Sequence, residues 1–486
     1  MIPVVTVEEM AAIDAAAAEH TATEVLIERA GRAAALSILR HLGRGYGKRA
    51  LLIAGKGHNG DDGRHAAAHL SKAGMHVVQV SPSTVSGRIE GFDLVIDAAF
   101  GTGFRGSYEA PVVERGATVV AVDIPSGVEG NTGRAAGAPM PADWTVTFAA
   151  LKPGLLQGEG RRLAGGIELA DIGLDTSRAR IHLVEDDDVV ELLPSRPPEA
   201  HKWSTAVCVV AGSPGMLGAA RLCSRGASRA GAGMVRLCMP GVSPAELPVE
   251  EAVSTALPVS SFSKDVLDVA ERCRAVVIGP GLGRSSSISA GVKEIVANSP
   301  VAVVVDADGL FALGDLAEAS AVCSSSRQQT ILTPHDGEYK RLMGKDPGID
   351  RISAARELAY RTGAIVLLKG WTTVVADPGG EALVVTSGSA RLATAGTGDV
   401  LSGMVGAFLA RGVPPLLSAG LAAHVHGRSA GLGFAEGLIS LDLPDLVASW
   451  LSTACSSSRS PVVPSGGVLS AVGVPTVLID HEQHKA

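Results

Sequence analysis

The chain has 486 residues, more than one hydrophobic core usually holds, so we expect two domains. Hydrophobic residues make up 46% and charged residues 19%, a balance typical of globular proteins. A net charge of −8 and 3% aromatic residues argue against partners such as nucleic acid or an anionic membrane, because proteins that bind these present basic surfaces.

The cysteines and the apolar runs indicate a compartment. Six scattered cysteines without a CxxC pair do not have the spacing of a zinc site or a disulfide framework, and free thiols are typical of a reducing environment. The segment MIPVVTVEEM carries acids where a signal peptide needs bases, and no uncharged apolar run reaches membrane-spanning length. We therefore expect a cytoplasmic protein.

The first half of the chain alternates short apolar runs with helical patterns. Two helices are predicted at 7–20 and 24–42. Strands separated by helices indicate a parallel three-layer sheet, in which ligands sit at the carboxyl ends of the strands. The predicted strands are 50–54, 77–80, 94–96, 118–122 and 144–148.

Glycine-rich loops follow three of these strands: GKGHNGDDG (55–63), DAAFGTGFRG (97–106) and DIPSG (123–127). Two contain GxGxxG, but GTGFRG runs on to a proline instead of a helix, which disfavours a simple dehydrogenase. Oxygen donors recur at the same strand ends, and these side chains could converge on one hard cation: Asn59, Asp97 and Ser126.

A polar segment separates the two halves. The acidic run 185–188 is followed by Pro194, Pro197 and Pro198, which together predict a semi-rigid linker and a domain boundary near residue 190.

A second α/β alternation begins at His201 and is not a repeat of the first. Helices are predicted at 219–230, at 354–361 and after Asp399. The predicted strands are 206–211, 234–237, 275–278, 302–305, 330–332, 365–368 and 373–375, the last two forming a hairpin with Lys369 at its turn.

In this half, glycine-rich turns and polar residues again follow the predicted strands. Glycine-rich turns lie at 211–220 and 278–283. VDADGL places Asp306 and Asp308 after a strand, where they either cap a helix or serve a site. LTPHDGE places His335 and Glu338 on a turn.

The sequence GTGD (396–399) leads into an apolar helix. Free N–H groups and the helix dipole make such a turn an anion site, and Asp399 could cap the helix or act as a base beside a phosphate. No GxxxxGK[ST] motif occurs, which disfavours an ordinary P-loop enzyme.

The motifs GKGHNGDDG, DAAFGTG, VDIPSG and TFAALKPG resemble, in this order, the NAD(P)H-hydrate epimerase domain over about residues 1–185. The resemblance implies a potassium ion held by Asn59, Asp97 and Ser126, and acid/base roles for Asp123 and Lys152. His58 and Asp61 depart from the family's usual NNGGDG, and the added carboxylate should repel phosphate. The implied substrate-binding residues are His58, Asn59, Gly60, Asp61, Asp62, Gly101, Thr102, Gly103, Phe104, Arg105, Gly106, Ser107 and Asp123.

The second half resembles the ADP- or ATP-dependent NAD(P)H-hydrate dehydratase domain, a ribokinase-like domain, over roughly 195–452. The motifs that carry the resemblance are GSPGMLGAA, GPGLG, DADGL, LTPHDGE, LLKG and GTGDVLSG. It departs at Asp336, Arg391 and Leu392. The resemblance implies Mg²⁺, ADP as co-substrate and Asp399 as the catalytic base. Implied substrate contacts are Ala219, Gly283, His335 and Asp399, and implied nucleotide contacts are Lys369, Gly370, Trp371, Thr372, Thr373 and Gly398.

We therefore predict two three-layer α/β/α domains, a Rossmann-like epimerase domain at 1–190 and a ribokinase-like dehydratase domain at 191–452, with a tail of unknown role at 453–486. The predicted function is repair of hydrated NADH and NADPH (NADHX and NADPHX) by a homo-oligomer. The alternatives are a ribokinase-like kinase with an attached ligand-binding domain, in which a phosphorylated product would accumulate, and a dinucleotide-binding regulatory module without turnover.

Overall fold

The structure is a computed structural model that describes residues 1–248, 250–457 and 476–479. The chain separates into two compact units, one holding Ile2–Ile181 and the other beginning at His182. Each unit is built around its own mainly parallel β-sheet, the α/β architecture that the strand–helix alternation predicts. Among the described helices, none is both long enough and apolar enough to cross a bilayer.

The sheet of the first unit contains all five predicted strands, paired in parallel. A further parallel strand was not predicted; its middle residue is Glu168, a charged side chain in a buried strand. In spatial order the parallel strands are His76–Val80, Arg49–Ala54, Leu94–Ala98, Thr118–Val122, Trp144–Phe148 and Gly166–Ala170.

The two faces of this sheet are covered differently. Helices Thr23–Leu42 and His58–Lys72 pack on one face, where Leu52 is fully buried. On the other face, connecting segments supply the cover and contribute Tyr108 and Met140 to a second core. The third layer of this unit therefore consists mostly of connections between strands.

The first unit has a capped first helix and contains several short strands outside its main sheet. A capping box of Thr6 and Glu9 starts the first helix, in which both side chains satisfy backbone N–H groups. The helices are Val7–Ala18, Thr23–Leu42, His58–Lys72, Pro153–Leu156 and Gly160–Leu163, and short strands lie at Ile2–Val4, Arg88–Ile89, Tyr108–Glu109, Val112–Val113 and Gly137–Ala138.

The sheet of the second unit contains all seven predicted strands, and the predicted hairpin around Lys369 is confirmed by antiparallel pairing. Val253–Leu257, Ala382–Val385 and Ile181–Leu183 were not predicted. The order is Val253–Leu257, Met234–Pro240, Ala206–Val210, Ala275–Ile278, Val303–Val305, Thr330–Leu332, Ile365–Leu368, Thr373–Ala376, Ala382–Val385 and Ile181–Leu183.

Helices cover both faces of this sheet. Helix Thr397–Ala410 is almost wholly buried, because it lies between the sheet and helix Leu217–Arg229. The helices are Asp186–Leu192, Leu217–Arg229, Phe262–Ala270, Ser286–Asn298, Asp308–Ala312, Leu316–Ser325, Asp336–Met343, Arg351–Thr362, Thr397–Ala410, Pro415–Gly431 and Leu443–Ser457, with 3₁₀ turns at Pro244–Glu246 and Ala390–Leu392.

The prediction of a linker was wrong for the acidic run, because this run caps and begins helix Asp186–Leu192. Acidic side chains in the first turn favour a helix through its dipole, and Glu185 caps it. Asp186 also bonds to His424 and Arg428 at 2.7 Å each, so the run is part of the second unit.

The predicted tail is partly structured. Helix Leu443–Ser457 continues beyond residue 452, and strand Thr476–Ile479 pairs antiparallel with Gly166–Ala170. Residues 458–475 and 480–486 lie outside the described part of the chain.

Two candidate active sites

The loop after strand Arg49–Ala54 leads directly into helix His58–Lys72. A side chain at Gly60 would place its Cβ 2.2 Å from the Gly55 carbonyl oxygen, so this tight turn requires glycine. Asp61 lies in the helix and not at a positive φ, and its carboxylate is 3.2 Å from Arg64. The departure from the family motif therefore causes no backbone strain, and Arg64 offsets part of the added charge.

Two of the three predicted cation ligands are hydrogen-bonded to each other, and the third, Asn59, lies beside the loop that follows Phe100. Asp97 is fully buried and accepts a hydrogen bond from the Ser126 N–H at 2.9 Å, while the Ser126 hydroxyl accepts one from Phe100 N–H at 2.8 Å. Asn59 is 9% exposed and its Cβ lies 3.2 Å from a Cβ built on Gly101. Among the described residues, neither polar atom of the Asn59 amide finds a hydrogen-bond partner, which is unusual for a buried amide.

Lys152 is buried, contrary to the usual exposed position of lysine. Its Nζ donates to Asp123 Oδ1 at 2.5 Å, Thr147 Oγ1 at 2.9 Å and the Phe148 carbonyl at 3.1 Å. Asp123 itself has a φ of +66°, a left-handed conformation that fixes its carboxylate at the strand end. The predicted acid/base pair is thus a buried ion pair.

Two more carboxylates face this pair. Burial, followed by the charges of Asp123 and Asp61, raises the pKa of Asp62 to about 8. Burial also raises the pKa of Asp14, which the nearby Lys152 partly opposes. Asp62 was predicted only as a substrate contact. Asp14 was missed because it lies within a helix far from any glycine-rich motif.

The remaining predicted residues of the first site lie on one loop and are mostly exposed. Gly103, Arg105, Gly106 and Ser107 are exposed, and Gly101 and Thr102 are half-buried. Phe104 packs on Phe100, with ring centroids 4.6 Å apart, so its ring belongs partly to the second core.

In the second unit, Gly396 begins helix Thr397–Ala410 with a φ of +92°, which suits glycine. Asp399 lies in the first turn of this helix. Burial, followed by the negative charge of Asp306, raises the pKa of Asp399 to about 7, while Lys369 opposes the shift. A carboxyl group with this pKa can accept and release a proton near neutral pH.

Beneath Asp399 lies a buried ion pair. Lys369 Nζ donates to Asp306 Oδ1 at 2.8 Å and lies 3.8 Å from Glu338. A Cβ built on Gly398 would be 3.5 Å from Lys369 Nζ, so the ammonium lies at the amino end of the helix. Positive charge and free N–H groups therefore coincide at the predicted phosphate site.

Two of the predicted substrate contacts, Ala219 and Gly283, lie at the glycine-rich turn 278–283. A Cβ built on Gly281 would lie 2.9 Å from the Ala219 Cβ, and the Gly283 N–H donates to Asp308 at 2.9 Å. His335 is exposed and caps helix Asp336–Met343 through Nδ1, so Asp336 does not disturb the helix start where the family favours proline.

The predicted nucleotide loop runs from Lys369 to Thr373. Arg351 donates from Nη2 to the Lys369 carbonyl at 2.7 Å and from Nε to the Thr372 carbonyl at 2.9 Å. Sequence reasoning missed Arg351, because it lies 18 residues from Lys369 along the chain in an unremarkable helix. Trp371 is 46% exposed and leaves an aromatic surface beside this loop.

The described residues contain no group of three His, Cys, Asp or Glu side chains placed to hold a metal ion. Hard cations are also held by amide, hydroxyl and backbone oxygens beside a single carboxylate, and Asn59, Asp97 and Ser126 offer an amide, a carboxylate and a hydroxyl.

Two sequence families match the chain in the order of its two units. The family described as YjeF-related protein N-terminus matches residues 23–87 and 79–154, and the family described as NAD(P)H-hydrate dehydratase matches residues 207–451. A ribokinase-like superfamily protein from Enterococcus faecalis has a similar structure, with a TM-score of 0.50 and 20% identity over 57% of this chain and 96% of that chain. The chain therefore contains a ribokinase-like α/β fold joined to a YjeF-related unit.

Relatives that match this chain over most of its length identify one family. A bifunctional NAD(P)H-hydrate repair enzyme from Moorella thermoacetica is 35% identical, covering 87% of this chain and 91% of the relative. A protein of the same description from Mycobacterium leprae is 36% identical, covering 85% and 90%. The chain belongs to the family of bifunctional NAD(P)H-hydrate repair enzymes.

Proposed function

We propose that the chain repairs hydrated NADH and NADPH in two steps. The first unit interconverts the R and S forms of the hydrate, and the second dehydrates the S form while ADP is consumed. The observation that carries this proposal is Asp399, a half-buried carboxyl group with a pKa of about 7 beside the Lys369 ammonium at a helix amino end.

The dehydration needs a better leaving group than hydroxide. Asp399 accepts the proton of the C6 hydroxyl as the hydroxyl oxygen takes the terminal phosphoryl group of ADP, leaving AMP. Lys369 and the N–H groups of Gly398 and Asp399 stabilise the charge on the transferred phosphoryl oxygens. The ring nitrogen then expels inorganic phosphate, and loss of a proton from C5 restores the dihydropyridine.

Magnesium suits this site because it is commonly held by one or two carboxylates together with substrate phosphates. Glu338, 3.8 Å from Lys369, is the carboxylate that we propose for this role. The ion offsets the negative charge of the phosphates when it is bound.

In the first unit, Lys152 and Asp123 are the proposed acid and base for loss and return of the C6 hydroxyl. The protonated Asp62, whose pKa is about 8, is available as a second proton donor at neutral pH. The loops that hold the dinucleotide are those carrying Gly60 and Gly101.

Potassium is proposed for the buried point between Asn59, Asp97 and Ser126. The Asn59 amide oxygen, which has no hydrogen-bond partner in the described part of the chain, supports this, as does the full burial of the Asp97 carboxylate. A bound potassium ion would supply positive charge for the substrate phosphates. Replacing potassium by lithium should slow epimerisation and leave dehydration unchanged.

We further propose that the enzyme acts in the cytoplasm as a homo-oligomer with small-molecule substrates. Among the described residues no two cysteines form a disulfide, and five of the six cysteines are buried, as suits a reducing compartment. Light scattering during size-exclusion chromatography would test the assembly state.

Two substitutions test the division of labour. Asp399→Asn removes the base and should slow dehydration at least about a hundredfold while leaving epimerisation intact. Asp123→Asn should slow epimerisation and spare dehydration of the pure S hydrate. Both rates are measurable by chiral chromatography of the hydrates and by absorbance of the reduced nicotinamide.

Full retention of both activities in both variants would contradict the assignment of the sites. Accumulation of a phosphorylated hydrate without release of phosphate would instead favour the kinase alternative.

A further inference from the structure

A cavity of about 210 Å³ opens beside the proposed substrate contacts of the second unit. Two of its lining residues are arginines, and one of them, Arg284, directly follows Gly283. The lining residues are Arg284, Ala307, Phe311, His335, Gly337, Glu338 and Arg341. The proposed reaction assigns no task to either arginine.

The two guanidinium groups both lie over the ring of Phe311. The Cζ of Arg284 lies 4.6 Å and that of Arg341 4.2 Å from the Phe311 ring centroid. Arg341 Nη2 also donates to the carbonyls of Leu310 at 2.9 Å and Phe311 at 2.6 Å. Stacking and these bonds hold two like charges close together, an arrangement that a bound anion would stabilise.

The carboxylates nearest to the pair already have partners. Asp308 accepts hydrogen bonds from Arg284 Nε at 2.8 Å and from the Gly283 N–H. Glu338 accepts from the His335 N–H at 2.9 Å. Within the described part of the chain, Nη1 and Nη2 of Arg284 and Nε and Nη1 of Arg341 make no hydrogen bond, so these donors are available to a ligand.

We propose that Arg284 and Arg341 form a subsite for a phosphate group of the dinucleotide substrate. The inference rests on the proposed dehydratase function, since such a substrate carries a pyrophosphate and, in its NADP form, a 2′-phosphate. Guanidinium groups suit phosphate because they offer paired N–H donors in a fixed plane. The position of Arg284 next to Gly283 places the subsite at the edge of the substrate contacts.

Binding of the reaction products NADPH and NADH tests this subsite without turnover. Arg284→Gln and Arg341→Gln should each raise the Kd of NADPH, measured by nicotinamide fluorescence, at least about tenfold, because charge-assisted hydrogen bonds are lost. Arg284→Lys and Arg341→Lys, which keep the charge, should fall between wild type and the glutamine variants. The matched control is Lys340→Gln on the same helix, an exposed lysine paired with Asp346.

The two cofactors identify which phosphate is bound. An equal rise for NADPH and NADH supports contact with the pyrophosphate, and a rise for NADPH alone supports contact with the 2′-phosphate. Unchanged Kd values for both cofactors in variants with wild-type melting temperatures would overturn the proposal, as would a rise in the KM of ADP alone. The wild-type protein could fail to dehydrate the hydrate and still bind NADPH more tightly than the glutamine variants. That result would support the subsite and reject the proposed function.

Discussion

The Asp306 carboxylate is 1% exposed, and three side chains from separate parts of the chain donate to it. Lys369 and Thr333 each bond to it at 2.8 Å, and Ser402 bonds to it at 2.5 Å. Burial alone would raise the pKa of Asp306, but Lys369 and the hydroxyl groups lower it on balance. Asp306 therefore stays ionised and fixes Lys369 below the helix that carries Asp399.

Sequence reasoning marked most of these positions because they follow strands. It predicted Lys369 and Asp399 as site residues and left open whether Asp306 caps a helix. The hydrogen bond between Asp306 and Ser402 joins residues 96 positions apart, and no local pattern reports such a contact. Strand ends can thus be read from the sequence, whereas the pairing of their side chains requires the fold.

The raised pKa of Asp399 predicts how dehydration depends on pH. Because the proposed base Asp399 must be deprotonated to act, kcat/KM for the S hydrate should fall as the pH drops below about 7. Asp306→Asn removes a nearby negative charge, so the pKa of Asp399 should decrease and the profile should move to lower pH by about one unit. The measurement is kcat/KM against pH, from initial rates at low concentrations of the S hydrate.

The control for this prediction is Ser402→Ala, which removes a hydrogen bond from Asp306 but no charge. Its profile should keep the wild-type midpoint. A profile of Asp306→Asn that coincides with wild type would show that Asp306 does not tune Asp399.

At the scale of elements, the position of Asp399 depends on close packing between two helices. A Cβ on Gly403 would lie 2.0 Å from the Cys223 carbonyl oxygen, and a Cβ on Gly226 would lie 2.4 Å from the Val400 carbonyl oxygen. Glycine at both positions lets helices Leu217–Arg229 and Thr397–Ala410 approach backbone to backbone. The first helix carries Ala219 and the second carries Asp399, so this contact sets the width of the site.

Gly403→Ala should therefore destabilise the protein by about 1–3 kcal/mol, because the helices must separate to admit the methyl group. Dehydration should slow as Asp399 moves, and epimerisation should persist. Thermal unfolding monitored by circular dichroism, together with both activities, would check this.

Gly218→Ala is the matched control in the partner helix, since no atom of the described residues lies within 4 Å of the added Cβ. It should stabilise the helix by about 0.5–1 kcal/mol. Equal destabilisation by both substitutions would contradict the packing argument.

The elements also show where sequence patterns succeed. Runs of buried aliphatic residues such as Ala275–Ile278 were predicted to the residue, because burial on both faces gives a continuous apolar signal. Gly166–Ala170 was missed since Glu168 interrupts the pattern. Its buried carboxylate is compensated by Ser37 Oγ, which donates to it at 2.6 Å, by Arg40, which pairs with it, and by His41 Nε2 at 3.2 Å, and all three partners lie about 130 residues away.

At the scale of the whole molecule, the chain carries two candidate sites, each within a unit that has its own sheet. The epimerase step supplies the S form that the dehydratase step consumes, so one chain can repair both epimers. Sequence motifs predicted this pairing of activities through family resemblance, whereas composition and periodicity alone predicted only two α/β domains.

The most direct test of the account follows absorbance at 340 nm with mixed R and S hydrates, magnesium and ADP. We predict recovery of the reduced-nicotinamide band beyond the S fraction, faster than spontaneous epimerisation, with AMP and phosphate formed in equal amounts. A plateau at the S fraction would contradict an active first unit. No recovery with either ADP or ATP would contradict the account as a whole.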